Sequence, residues 1–356
     1  MTNGIEVVKS GGALRRGLLF ALLLVTAWAV PAKAHDRGRP AAAAGGPCTT
    51  TAATLYGGCL HQVEADGAVA KAICINISDA AERGACVRDA DAAQDDGEAL
   101  CRDQLAGRRD ACVLLGDVRY DPDPEPADFE TDFAHLAHPN RYFPLRPGNR
   151  WVYGGSEDDV VEMTTATKSI DDLTCLVSHD TVRENGVVTE DTFDWFAQRN
   201  NGDVFYCGES TAEYETFEGD HPMTPELVTI DGTFKQGRDG DQGGLIFPGS
   251  PHPGLTYREE SSFTNAEDIA QVVSTTYTYG ASRDLDRLVP KALAQLLCHG
   301  DCVVTKNTSL LEPGIVEFKY YAPGLGVFLE VHPADKSVLQ LVSCNFDPRC
   351  ASLPQP

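Results

Sequence analysis

Between residues 174 and 211 aromatic and β-branched side chains fill three stretches, divided at Asn185-Gly186 and again at Asn201-Gly202. Asn-Gly tolerates two successive positive φ angles, the geometry of a type I′ turn whose twist matches the strands it joins. The pattern therefore predicts three consecutive antiparallel strands, about 174–184, 187–200 and 203–211. Their arms carry Phe193, Trp195 and Phe196 against Val204, Phe205 and Tyr206, residue types that pack well on a pleated surface.

Two-residue turns set Glu184 opposite Val187 and Asn200 opposite Asp203, and the remaining pairs follow by counting back. One face then holds Leu176, Phe193, Trp195, Ala197, Val204 and Tyr206 and is assigned to the core. The other presents Cys175, His179, Thr192, Asp194, Phe196, Cys207 and Glu209, with Asp194 directly opposite Glu209 and His179 diagonal to Asp194. Two opposed carboxylates repel unless a proton or a cation relieves them. His179, Asp194 and Glu209 are thus the candidate acid/base groups, or the ligands of a divalent metal, with His221 and His252 as further ligands. The plainer alternative is a solvated polar face, and a one-residue slip would send the set to opposite sides.

Short strands continue on both sides of this meander, at about 151–153 and 160–167 before it, and 227–230, 245–247, 257–263, 272–279, 302–306, 315–321, 327–331 and 338–343 after it. Such spacing predicts a mainly β fold, a large curved antiparallel sheet or open barrel. One stretch changes period: Leu285, Leu288, Val289, Ala292, Leu293, Leu296 and Leu297 recur at helical spacing, predicting a helix over 284–298 that Pro290 should kink or restart. Its place is the mouth or concave side of the sheet, either as permanent core or as a lid. In the second case Phe196, Leu288 and Leu293 would touch an apolar ligand.

The N-terminal part differs. Lys9 and Arg15-Arg16 precede an apolar run to Val30 and then Ala32-Lys33-Ala34, the layout of a secretory signal peptide (1–34) cut after about Ala34. A small-residue leader (35–47) follows. All 12 cysteines lie beyond it, an even number that reads as disulfides in an exported protein, secreted or periplasmic. The first six, at 48, 59, 74, 86, 101 and 112, form three pairs spaced 11, 12 and 11, an apparent internal repeat of short helices in a disulfide-rich module (48–118). An acidic, Pro-rich linker or strap (119–138) leads to the β domain (139–347) and a C-terminal tail (348–356). Cys298 with Cys302, and Cys344 with Cys350, bracket short loops that bridges could close. Cys175 and Cys207 flank Phe196 on alternate strands, two spacings of about 4.8 Å apart, beyond the roughly 7 Å reach of a disulfide. Either the meander is not simple there, or each pairs elsewhere, or both are free.

The formal net charge of −24 repels nucleic acid and anionic lipid, and no run after the leader is long enough to span a bilayer. The segments YFPLRPGNRWVYGG, EDTFDWFAQRNNGDVFYCGE and LEPGIVEFKYYAPGLGVFLEV together resemble a family of exported bacterial proteins of uncharacterised function, over roughly 140–347. More loosely, the strand pattern resembles the curved half-barrels of periplasmic lipoprotein carriers, which implies a binding fold and assigns no residue a role. Three functions stay open: a secreted protein binding an apolar or amphipathic small molecule, an exported metal-assisted hydrolase of an ester or phosphoester, and a structural or adhesive protein. No Gly-x-Ser-x-Gly or His-Glu-x-x-His is present, so no motif points to a common serine hydrolase or zincin.

Overall fold

The computed structural model describes residues 45–356, so the expected signal peptide and most of the leader lie outside the described residues. Two long helices come first, α1 (Pro47–Ile75) and α2 (Ala80–Leu115). Asp79 caps the second by accepting hydrogen bonds from the amides of Ala81 and Glu82. Disulfides Cys48–Cys112, Cys59–Cys101 and Cys74–Cys86 join the pair as three rungs. The sequence spacings between successive cysteines run 11, 15, 12, 15 and 11, the same in either direction. That palindrome is what two antiparallel helices folded about their midpoint require, since 11 and 15 residues are about three and four helical turns. The apparent repeat of short helices is one hairpin of two continuous ones. Among the described residues no helix is long and apolar enough to cross a membrane.

The rest is mainly β. The strands are β1 (Phe129–Glu130), β2 (Arg150–Gly155), β3 (Asp158–Ile170), β4 (Leu173–Glu184), β5 (Val187–Arg199), β6 (Val204–Glu215), β7 (Glu226–Thr229) and β8 (Phe234–Lys235). They continue with β9 (Gln242–Phe247), β10 (Thr256–Arg258), β11 (Glu260–Ser261), β12 (Asp268–Tyr277), β13 (Cys302–Ser309), β14 (Val316–Ala322), β15 (Gly326–His332) and β16 (Ser337–Cys344). A seven-residue helix, α3 (Lys291–Leu297), lies between β12 and β13. Hydrogen-bonded neighbours run β10-β12-β13-β14-β15-β16-β2-β3-β4-β5-β6-β9-β11, while β1 adds to β5 and β7 and β8 add to β6.

The two ends of this series, β10 and β11, are consecutive in the chain and separated only by Glu259. One segment thus passes from one edge of the sheet to the other, and the sheet becomes a nearly closed barrel. The seam is close-packed: a Cβ on Gly244 of β9 would collide with the carbonyls of Arg258 and Glu259. Helix α2 covers this seam. Arg108 makes a two-pronged pair with Glu267, Nε to Oε2 at 2.9 Å and Nη2 to Oε1 at 2.6 Å, with both side chains almost completely buried. Beside it Ala111 packs with Ile269 and Leu310, and the Gln104 amide donates to the Leu311 carbonyl at 2.9 Å.

The Asn185-Gly186 turn has the two-residue form expected, with Glu184 opposite Val187. A bulge then intervenes, because Arg183 pairs with Val188 but Val182 pairs with Glu190. From there the register differs by one residue: His179 lies opposite Phe193, Ser178 opposite Asp194, and Leu176 opposite Phe196. At the second turn Gln198, not Asn200, begins the ladder, opposite Val204. A compensating bulge at Cys207 restores the count, so that Trp195 faces Gly208 and Asp194 faces Glu209. Gly208 adopts φ of +138°, and its missing side chain lets β8 lie against it.

These bulges re-sort the faces. Leu176, Phe196 and Tyr206 join the interior cluster, whereas Trp195, Ala197, Cys175 and Cys207 form a second cluster on the outer face with Phe129, Ile170, Leu173 and Phe205. Trp195 is buried there, with the Lys168 ammonium 3.9 Å from its ring centre. Phe193, assigned from sequence to the core, is instead partly exposed on the outside. Cys175 and Cys207 are bonded, with Cα atoms 6.7 Å apart. The ladder between β4 and β5 stops at Leu176, and Cys207 is the extra residue of its bulge, so neither sits where a simple meander puts it. Bridges Cys298–Cys302 and Cys344–Cys350 close their short loops, and none of the described cysteines is free.

The expected helix over 284–298 is shorter because Pro290 starts it, and α3 does not occupy the concave side. Residues on β14 alternate: Glu317, Lys319 and Tyr321 face the interior space, while Tyr320 belongs to the apolar cluster that contains Val289, Leu293, Ala294 and Leu297. The Tyr320 hydroxyl donates to the Leu285 carbonyl at 2.6 Å, and the Tyr277 hydroxyl bonds Asp286 Oδ1 at 3.0 Å. The helical segment therefore packs on the face of β14 opposite Glu317, Lys319 and Tyr321, within the same apolar cluster as Phe196, and none of its residues lines the cavity.

Candidate functional site

Inside the barrel is a cavity of about 640 Å³. Its lining follows from strand pleating: alternate residues of each strand face inward, and each strand changes character from one end of the lumen to the other. On β5 the inward positions run Phe196, Asp194, Thr192, Glu190. On β6 they run Tyr206, Glu209, Thr211, Glu213 across the Cys207 bulge, and on β3 Met163, Val161, Asp159. The floor is apolar and aromatic. Phe143 and Pro144 reach it from the segment before β2, joined by Trp151, Phe196, Tyr206, Ile246, Tyr321 and Val327. Phe143 meets Phe196 edge-on at 5.1 Å between ring centres, and Phe196 stacks on Tyr206 at the same separation. Trp151 is pinned by a 2.7 Å hydrogen bond from its indole nitrogen to the Leu325 carbonyl.

Above the floor the wall is acidic. Fifteen of the lining residues are Asp or Glu, and one, Lys319, is basic. Lys319 Nζ lies 3.3 Å from Glu317 and 3.5 Å from Glu330, and the His332 ring is 3.1 Å from Glu317. Glu317, Glu330 and His332 offer ligand atoms within 4.8 Å of one another, a spacing a metal ion could use. Lys319 already contributes a positive charge there, which an incoming cation would have to displace.

Burial of carboxylates beside one another disfavours their charged form. Asp159 is pushed up to about 6, first by burial and then by the charges of Glu330, Glu157 and Glu190, against a hydrogen bond with Asp180 that lowers it. Glu259 at the seam is pushed up to about 7 by burial and by Asp268 and Glu317, although Lys319 and a hydrogen bond from Asn307 oppose the shift. Glu260 is raised well above the ordinary range by burial, Asp268, Glu259 and Glu209. The Tyr206 hydroxyl donates to Asp194 Oδ1 at 2.5 Å, and burial with that carboxylate holds it firmly protonated. Thr211 likewise donates to Glu209 at 3.2 Å. Among the buried polar atoms of the lining, Ser178 Oγ has no hydrogen-bond partner.

Of the residues singled out from sequence, Asp194 and Glu209 are directly opposed as expected, and both face the cavity. His179 is on the reverse side. It stacks on Phe193 with ring centres 4.4 Å apart and meets Asp191 Oδ1 at 2.5 Å. The bulge in β5 separates it from Asp194, and the three cannot act on one metal or one substrate. His221 and His252 are exposed in loops away from the cavity. Phe196 lines the floor, whereas Leu288 and Leu293 pack in the same apolar cluster without lining the cavity. Sequence reasoning missed Asp159, Ser178, Asp180, Glu190, Glu259, Glu260, Glu317, Lys319 and Glu330. The available signal was the run of polar and acidic side chains at alternate positions through Glu190, Thr192 and Asp194.

No protein-family model, no curated protein and no solved structure matches this chain.

Proposed function

We propose that this is an exported small-molecule-binding protein whose ligand is an amphiphile lying lengthwise in the barrel. The observation that carries this reading is the axial polarity of the cavity, aromatic at the floor and carboxylate-lined above it. An apolar segment placed against Phe143, Trp151, Phe196 and Tyr206 is removed from water, at about 25 cal/mol per Å², while its polar end stays among hydrogen-bonding groups. A volume of about 640 Å³ is within the size range of small-ligand sites. Six disulfides suit an oxidising compartment, in line with export and with the resemblance to exported bacterial proteins.

Calorimetric titration with a ten-carbon series, decylamine, decanol and decanoate, tests the reading. At least one member should bind saturably at one per chain, and Phe196→Ala should weaken that binding about tenfold by emptying the floor. Saturable binding by none of the three rejects it.

A further inference from the structure

The acidic wall narrows the ligand class. We propose that the polar end of the ligand is a cation, an ammonium group held in the lumen beside Ser178 and Asp194. This rests on the binding function proposed above.

Three features of the structure converge on it. The first is the balance of charge, fifteen carboxylic side chains against one lysine around a single cavity. Where these groups are buried they interact more strongly than at a surface, and a cationic guest relieves the mutual repulsion of its neighbours. The second is an orphaned acceptor. Ser178 is fully buried, lines the cavity directly opposite Asp194, and its Oγ has no hydrogen-bond partner in the protein. Buried polar atoms without partners are costly and uncommon, and an ammonium, which only donates, satisfies it. The third is position: Ser178 pairs with Asp194, the first inward residue past Phe196 on β5, where the head of a floor-bound amphiphile would be.

The groups around Asp159 fix the dependence on pH. Glu157 just before its own strand, Asp180 on β4, Glu190 on β5 and Glu330 on β15 all bear on it, as does the neutral Tyr153 hydroxyl on β2. All four carboxylates reinforce the attraction for a cation when ionised, and protonating Asp159 removes part of it.

The test compares the same ten-carbon series on the intact protein. Decylamine should bind at least tenfold more tightly than decanol and a hundredfold more tightly than decanoate at pH 7.5, and its advantage over decanol should shrink at pH 5. Asp194→Asn, which removes the charge opposite Ser178, should weaken decylamine about tenfold and decanol by less than threefold. Equal affinity for amine and alcohol, or preference for decanoate, overturns the cation assignment and leaves the binding function standing. Calcium chloride titrating the lumen in the absence of any amine binding also overturns it. Failure of all three amphiphiles removes both proposals. Because the three-ligand comparison uses the unaltered chain, it decides between these outcomes even if a variant folds poorly.

Discussion

Arg108→Met is expected to destabilise the protein by about 3–5 kcal/mol, the usual result of leaving one member of a buried ion pair without its partner. Glu267 is almost completely buried and receives both Arg108 hydrogen bonds, with one further bond from the Thr264 amide at 2.8 Å. Without the guanidinium its carboxylate must be protonated or pull water into the seam between α2 and the barrel. The double variant Arg108→Met with Glu267→Gln should recover much of the loss, because a neutral amide can keep the Thr264 bond without an uncompensated charge. Chemical denaturation monitored by near-ultraviolet circular dichroism measures both. A single variant within about 1 kcal/mol of the parent would show that the pair holds nothing together.

The second large effect is a stability that rises on acidification from pH 8 to about pH 5. Asp159 and Glu259 titrate in the folded chain near 6 and 7, and Glu260 is also raised, so each keeps its proton at pH values where the unfolded chain has released it. Between the unfolded and folded values the native state binds more protons, so unfolding free energy falls as pH rises. For Asp159 the full shift corresponds to roughly 3 kcal/mol, taking about 1.4 kcal/mol per pKa unit as an upper bound. Below about pH 4 the trend reverses, since Asp347, held low by its hydrogen bonds and ion pair with Arg349, then loses its charge. Thermal unfolding at pH 5.5 should therefore occur several degrees above that at pH 8, and Glu259→Gln should flatten the difference. A melting temperature that climbs steadily from pH 5.5 to pH 8 would contradict the acidic lumen as the source of strain.

Much of the fold was legible from the aromatic and β-branched stretches, because once a strand is placed, inward and outward alternation is dictated by pleating alone. The two Asn-Gly turns mark real bends, and the closing strands β13 to β16 fall within a few residues of their expected limits. The bulges were not legible. Nothing in the local composition of Thr189 or Cys207 announces an extra residue, yet one such residue carries His179 from the carboxylate side to the outside. Asp194 and Glu209 survived as a pair because the longer second turn and the Cys207 bulge offset each other. The helical hairpin escapes a reading of the sequence for a different reason: similarity between cysteine intervals suggests repetition, whereas their symmetry about the midpoint encodes antiparallel pairing. The lumen itself depends on contacts between strands far apart in sequence, and no local window contains both Asp159 and Glu330.

The distribution of cross-links has a bearing on limited proteolysis. Three disulfides bind α1 to α2, the other three lie within the barrel part, and none connects the two sets. A protease cutting in the exposed stretch near Asp117 to Arg119 would sever the last covalent tie, leaving an intact two-helix fragment held only by contacts such as Arg108 with Glu267. A cut in either helix between Cys48 and Cys112 would release nothing until a reductant was added.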